Sequence, residues 1–180
     1  MESEIPLVEV KLHKGKVMVW DEAQANQLYQ RGFYGKLLSG GKLQLSLVET
    51  LYLMDVGKIT VKDEDGKKLK FKDLFVMFSN VDSELPLKHA VYSDLRSRGY
   101  ILKTGMKFGA HFRVYERGEG PGESHSKFLV HAIPEEGARL TPTELARAIR
   151  LAHSVRKKIM WAIVDTDGDV TYYALTRERP

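Results

Sequence analysis

The sequence predicts two successive units of mixed structure: a small α+β unit over residues 1–85, then an α/β unit over residues 86–180 whose mixed sheet is flanked by helices. Three observations carry this. Short runs of alternating apolar residues, the period of a strand, recur between runs of helical period. The chain restarts at Ser83-Glu84-Leu85-Pro86, where proline sits in the first turn of a new helix. The charge also changes there: residues 1–85 carry 12 Lys/Arg against 13 Asp/Glu, whereas residues 86–180 carry 16 against 11.

In the first unit, Lys16-Val17-Met18-Val19-Trp20 predicts a strand entered through the Lys14-Gly15 turn. Asp21 is placed to cap a helix that runs through Gln30 and stops near Gly32. Ser39-Gly40-Gly41 is a loop. Ser46 and Glu49 have the spacing of a capping box ahead of Leu47, Val48, Leu51 and Met54, and Gly57 ends that helix. Lys58 to Lys62 predicts a strand, Asp65-Gly66 a turn, and Phe71 to Asn80 a helix with Leu74, Phe75 and Phe78 inward. No cluster of chemically active residues falls in this unit.

In the second unit a helix is expected from Pro86 to Gly99, then strands over Tyr100–Lys103, Phe108–Tyr115 and Phe128–Ile133. Thr141-Pro142-Thr143-Glu144 is a second capping box, opening a helix that buries Leu145, Ala148, Ile149, Ala152 and Val155. Ile159 to Val164 is a strand, and Asp167-Gly168 turns it into Val170 to Thr176.

Composition bounds the function. With 43% hydrophobic residues both units can build cores, and the absence of Cys excludes a disulfide scaffold and thiolate metal sites. No apolar run reaches membrane-spanning length, and Met1-Glu2-Ser3-Glu4 lacks the features of a secretory signal. A cytoplasmic protein without a membrane partner is expected. Of the 16 basic residues in the second half, ten are arginine, the side chain best suited to bidentate phosphate contacts.

Three residues stand in contexts that packing alone explains poorly. Tyr115 ends the alternating run Gly109-Ala110-His111-Phe112-Arg113-Val114-Tyr115. His125 lies in the polar, Gly-rich connection Gly120-Pro121-Gly122-Glu123-Ser124-His125-Ser126-Lys127. Lys157 closes the basic segment His153-Ser154-Val155-Arg156-Lys157-Lys158, read as a helix end. Each has a structural reading: a half-buried strand aromatic, a loop histidine, and a cation complementing a helix dipole. Together a phenol, an imidazole and an ammonium point to acid/base chemistry on a phosphodiester without metal or cofactor, which requires RNA and its own 2′-hydroxyl as nucleophile.

Two metal readings fail. Asp165-Thr166-Asp167-Gly168-Asp169 resembles the start of a calcium loop, but the twelfth position is Thr176 rather than Glu. His111, His131 and His153 lack the close pairing of a zinc helix.

Several segments, taken together, resemble the archaeal tRNA-splicing endonuclease family, in the family's order. They are Val91-Tyr92-Ser93-Asp94-Leu95-Arg96-Ser97-Arg98-Gly99-Tyr100, Thr104-Gly105-Met106-Lys107-Phe108-Gly109, Phe112-Arg113-Val114-Tyr115, His125-Ser126, His153 to Lys158 and Asp165 to Asp169. Leu45-Ser46-Leu47-Val48-Glu49 with Leu51-Tyr52-Leu53 extends the likeness into the first half.

The resemblance implies a nuclease-like C-terminal domain with Tyr115, His125 and Lys157 as catalytic triad. It implies cleavage of precursor tRNA, or other bulge-helix-bulge RNA, to 2′,3′-cyclic phosphate and 5′-hydroxyl ends. Arg150, two turns before Lys157, falls where the family places an arginine stacked on a flipped-out base; His153 and Ser154, by their own place near Lys157, are expected to touch RNA phosphate. Asp165, Asp167 and Asp169 would form a loop that inserts into a neighbouring subunit of a homotetramer, or of a heterotetramer with a non-catalytic partner. The alternatives are a non-catalytic structural or RNA-binding subunit of the same fold, and a metal-dependent DNA nuclease, for which the carboxylate–lysine cluster is missing.

Overall fold

The computed structural model describes residues 7–180, and the chain divides into two compact units at residues 89 and 90. Met1 to Glu4, which carry the reading of the N-terminus, lie outside the described residues. Each unit is a five-stranded mixed sheet with helices against it, the α+β and α/β architecture that the sequence predicts.

The first unit runs β1 (Val8–His13), β2 (Lys16–Val19), α1 (Glu22–Gly32), β3 (Lys36–Leu37), β4 (Leu43–Leu45), α2 (Leu47–Asp55), β5 (Ile59–Lys62) and α3 (Phe71–Val81). Its sheet has the order β3-β4-β2-β1-β5, with β1 parallel to β5 and the other pairs antiparallel. The predicted caps form. Asp21 Oδ1 accepts from the Gln24 N–H at 2.8 Å. Ser46 and Glu49 exchange both bonds of a capping box. Strand β1 is an addition to the expected elements, although buried Val8 and Val10 alternate with exposed Glu9 and Lys11.

In the second unit α4 (Leu85–Ser97), which begins before the boundary, leads to β6 (Ile101–Thr104), a 3₁₀ turn (Met106–Phe108), β7 (Phe112–Tyr115), β8 (Phe128–Pro134), α5 (Pro142–Ser154), β9 (Lys158–Val164) and β10 (Val170–Leu175). The sheet order is β10-β9-β8-β7-β6. Strands β8 and β9 are parallel and joined through α5; the other neighbours are antiparallel. On one face Ala152 of α5 packs with Ala110, Leu129 and Ile159, bordered by Phe108, Ala148, Ile149, Val155, Trp161 and Leu175. On the other face the Tyr92 ring of α4 lies 5.7 Å from that of Phe112. There the Tyr172 hydroxyl donates to Asp94 Oδ2 at 2.7 Å, and Arg98 grips both Asp94 oxygens at 3.0 and 3.1 Å. Burial and the neighbouring Asp94 carboxylate push the Tyr172 hydroxyl far up, so it stays a donor.

Two expectations are corrected. Phe108 to His111 is not strand. Gly105 donates to the His111 carbonyl and accepts from Phe108 and Ala110, closing a tight loop. A Cβ on Gly105 would come within 2.8 Å of backbone at Ala110 and Phe112, so the loop depends on glycine there. The second correction is that Lys157 does not close a helix: α5 ends at Ser154, and the chain reverses before Lys157.

Candidate active site

Tyr115 is the last residue of β7, paired with Ile101 and only 4% exposed. The pleat puts Arg113 and Tyr115 on one face of the strand and Phe112 and Val114 on the other. The Arg113 guanidinium accordingly stands 5.9 Å from the Tyr115 ring centroid. Arg117, beyond the strand end, turns instead over Tyr100 at 5.0 Å. Of these two arginines, Arg113 is the one beside the Tyr115 ring.

Lys157 is delivered by the end of α5. The Arg156 N–H bonds the His153 carbonyl at 3.1 Å and the Lys157 N–H bonds the Ala152 carbonyl at 2.8 Å, a Schellman arrangement. It places Arg156 at φ 56°, the left-handed region that normally takes glycine. Lys157 thereby leaves the helix axis. Its Nζ donates to the Ser126 carbonyl at 2.7 Å and sits 5.5 Å from the Phe108 ring centroid. Desolvation, reinforced by the Arg113 charge, pushes its ammonium below the usual lysine range. Lys158 begins β9 and, by strand alternation, points to the opposite side.

His125 is exposed in the β7–β8 loop. That loop is fixed by its own bonds: Lys127 Nζ meets Glu116 Oε1 at 3.0 Å, and the Gly120 carbonyl accepts from the Glu123 and Ser124 N–H groups. The residue after His125, Ser126, is buried, and its carbonyl is the one that holds Lys157. The structure thus ties Lys157 to the loop that carries His125 and sets Arg113 beside Tyr115. Lys157 bonds the carbonyl of the residue after His125, and Arg113, whose charge acts on Lys157, lies beside the Tyr115 ring.

The remaining predicted residues lie elsewhere. Arg150 is exposed on α5, in a groove of about 310 Å³ with Leu145, Ile149, Thr176 and Arg177. Because α5 ends at Ser154, Arg150 and Lys157 do not share a helical face as the spacing implied. His153 and Ser154 are exposed in its last turn, the Ser154 hydroxyl donating to the Leu151 carbonyl at 2.7 Å. Asp165 Oδ1 accepts from the N–H groups of Asp167 and Asp169, both at 2.9 Å, so Asp165 shapes the turn. Asp167 and Asp169 are exposed. His111 and His131 rings stand 6.1 Å apart, and His111 Nδ1 accepts from the Ala132 N–H at 2.9 Å. Burial, with His111 close by, pushes the His131 imidazole down. Among the described residues no three His, Cys, Asp or Glu side chains gather to hold a metal, and no helix is long and apolar enough to cross a membrane.

Residues 85–172 match the sequence profile of the tRNA intron endonuclease catalytic C-terminal domain, and residues 8–75 match that of its N-terminal domain. The chain belongs to the tRNA intron endonuclease family. It is 44% identical over 168 residues to the tRNA-splicing endonuclease of Thermococcus onnurineus (strain NA1), covering 93% of this chain and 95% of that protein. With the tRNA-splicing endonuclease of Thermococcus kodakarensis it shares 45% identity over 158 residues, 88% and 90% of the two chains. A longer tRNA-splicing endonuclease, from Methanococcoides burtonii, is 44% identical over 154 residues, 85% of this chain but 44% of that one.

In this tRNA intron endonuclease family member the catalytic-domain match encloses Tyr115, His125 and Lys157. Sequence reasoning missed the two groups that hold Lys157, the Ser126 carbonyl and the Phe108 ring. A backbone acceptor has no sequence signal, and Phe108 was assigned to a strand. Arg113 was legible, since two residues along a strand return to the same face.

Proposed function

We propose that this chain is the catalytic subunit of a tRNA-splicing endonuclease, cutting precursor tRNA at its intron boundaries without a divalent metal and leaving 2′,3′-cyclic phosphate and 5′-hydroxyl ends. The observation that carries this is the bond from Lys157 to the carbonyl of the residue after His125, with Arg113 beside the Tyr115 ring, inside the family's catalytic domain.

The ribose 2′-oxygen attacks the adjacent phosphorus in line. A bond forms between the 2′-oxygen and phosphorus, and the bond from phosphorus to the 5′-oxygen breaks. Tyr115 orients the 2′-hydroxyl and, in its phenolate form, accepts that group's proton to become the neutral phenol. His125 gives a proton to the departing 5′-oxygen, a task suited to an exposed imidazole that solvent can recharge. Lys157 spends one N–H on the Ser126 carbonyl and keeps two for the oxygens of the pentacoordinate phosphorane.

The substrate reading is RNA with two bulges separated by a short helix, recognised by shape and splayed bases. Arg150 stacks on a bulge base, and His153 and Ser154 meet phosphate. Cutting two boundaries calls for two sites at fixed separation, hence a homotetramer or a heterotetramer with a non-catalytic partner. Asp167 and Asp169 supply the charge that docks in a basic pocket of the neighbouring subunit, while Asp165 serves the turn. Changing both Asp167 and Asp169 to lysine, with Asp165 kept, should leave the fold intact and dissociate the assembly. Sedimentation velocity measures this, and an unchanged assembly rules the docking role out.

End-group analysis of bulge-helix-bulge RNA cut in EDTA tests the reading as a whole. A non-catalytic subunit would bind that RNA and leave it whole.

A further inference from the structure

Arg113 is the feature of the candidate site that the triad does not use. It lies on the same face of β7 as Tyr115, with its guanidinium 5.9 Å from that ring. Its Nε is buried and makes no hydrogen bond. Its charge acts on Lys157, and among the described residues no carboxylate pairs with either cation. Two like charges that act on each other without a counter-charge repel, and an anion bound by both reverses the sign of that interaction. A guanidinium presents N–H groups in a planar fork that fits two oxygens of one phosphate, and among the described residues the terminal nitrogens of Arg113 have no protein acceptor either. The other arginine near this strand end, Arg117, is taken up by Tyr100.

We propose that Arg113 is a second phosphate-binding residue of the catalytic centre, donating to a non-bridging oxygen of the scissile phosphate while its planar face holds the Tyr115 ring. This rests on the reading of Tyr115, His125 and Lys157 as the catalytic set. Lys157 and Arg113 then share the developing phosphorane charge, and Arg113 orders Tyr115 against the same phosphate. No extra group is consumed; the bonds made and broken are those of the transesterification above.

The test compares Arg113→Met, whose unbranched stem still covers Tyr115, with Arg113→Lys. Both are assayed on bulge-helix-bulge RNA carrying either a normal scissile phosphate or one of the two phosphorothioate stereoisomers there. With the normal phosphate, Arg113→Met should cut about 10²–10³-fold more slowly at saturating enzyme, as loss of one preorganised donor does, and should weaken RNA binding far less than it slows cleavage. With one phosphorothioate isomer the penalty seen in the unsubstituted enzyme should shrink, because the contact that sulfur weakens is already gone. Arg113→Lys should recover part of the rate but not that penalty.

A normal rate in Arg113→Met, or sulfur penalties unchanged for both isomers, overturns the proposal and leaves Arg113 a packing residue. If Arg113→Met does not fold, Arg113→Lys decides by the same stereochemical comparison. His125→Ala is run in parallel: if it too cuts normally, the catalytic set itself is wrong, whereas a dead His125→Ala beside a normal Arg113→Met removes only the role of Arg113.

Discussion

Replacing His125 by alanine should slow single-turnover cleavage by about two to four orders of magnitude and leave folding and RNA affinity unchanged. The expectation of an intact fold comes from how the loop is held. Its bonds run between Glu116 and Lys127 and from the Glu123 and Ser124 N–H groups to Gly120, and none uses the imidazole. The side chain itself is exposed. Removing it takes away a proton donor and little packing, so the loss should fall on the chemical step. Rapid mixing with excess enzyme, alongside a binding isotherm on the same RNA, separates the two. A variant that cuts at the normal rate, or that loses binding and cleavage in the same proportion, would remove His125 from the role of general acid.

Lys157→Met should have two effects, and that pairing is distinctive. The Ser126 carbonyl belongs to a buried residue and loses its partner, which costs about 1–3 kcal/mol. Cleavage should fall by about 10²–10³-fold as a phosphorane-stabilising cation disappears. Lys158→Ala, on the opposite side of β9, should do neither to a comparable degree. Urea denaturation and single-turnover rates measure the two effects. The sign of the pH dependence follows as well. Burial and Arg113 disfavour the ammonium, so its proton leaves at a lower pH than that of an ordinary lysine. Activity that needs the charged form should therefore fall on the alkaline side earlier than a free lysine would dictate, and Arg113→Met should move that limb upward. Destabilisation without loss of rate would confine Lys157 to holding the loop.

Much of the fold was legible because its signals are local. The Ser46–Glu49 and Thr141–Glu144 boxes form as their spacing predicts, since both partners of each lie within one turn. Gly57 and Gly99 mark the ends of α2 and α4 because both take the left-handed conformation that glycine adopts freely. The end of α5 was misplaced for the same reason in reverse: Arg156 occupies that conformation, and an arginine does not announce a stop.

Phe108 to His111 alternates like a strand but folds as a loop because Gly105 admits backbone where a Cβ would clash. This is a long-range steric fact that no window of the sequence carries. In the candidate site, the nearness of Arg113 to Tyr115 follows from the pleat, whereas the departure of Arg117 to Tyr100 depends on a turn geometry beyond the strand. The bond from Lys157 to a backbone carbonyl 31 residues earlier could come only from the parallel pairing of β8 with β9.

The measurement that bears most directly on the central claim is the chemistry of the cut ends. Bulge-helix-bulge RNA, folded in monovalent salt, is incubated with the protein in excess EDTA, and the products are analysed for their termini. Cleavage at both bulges, with 2′,3′-cyclic phosphate on one side and 5′-hydroxyl on the other, is the predicted result. Cleavage that stops in EDTA and returns with magnesium while the RNA stays folded, or products ending in 5′-phosphate, would contradict the account.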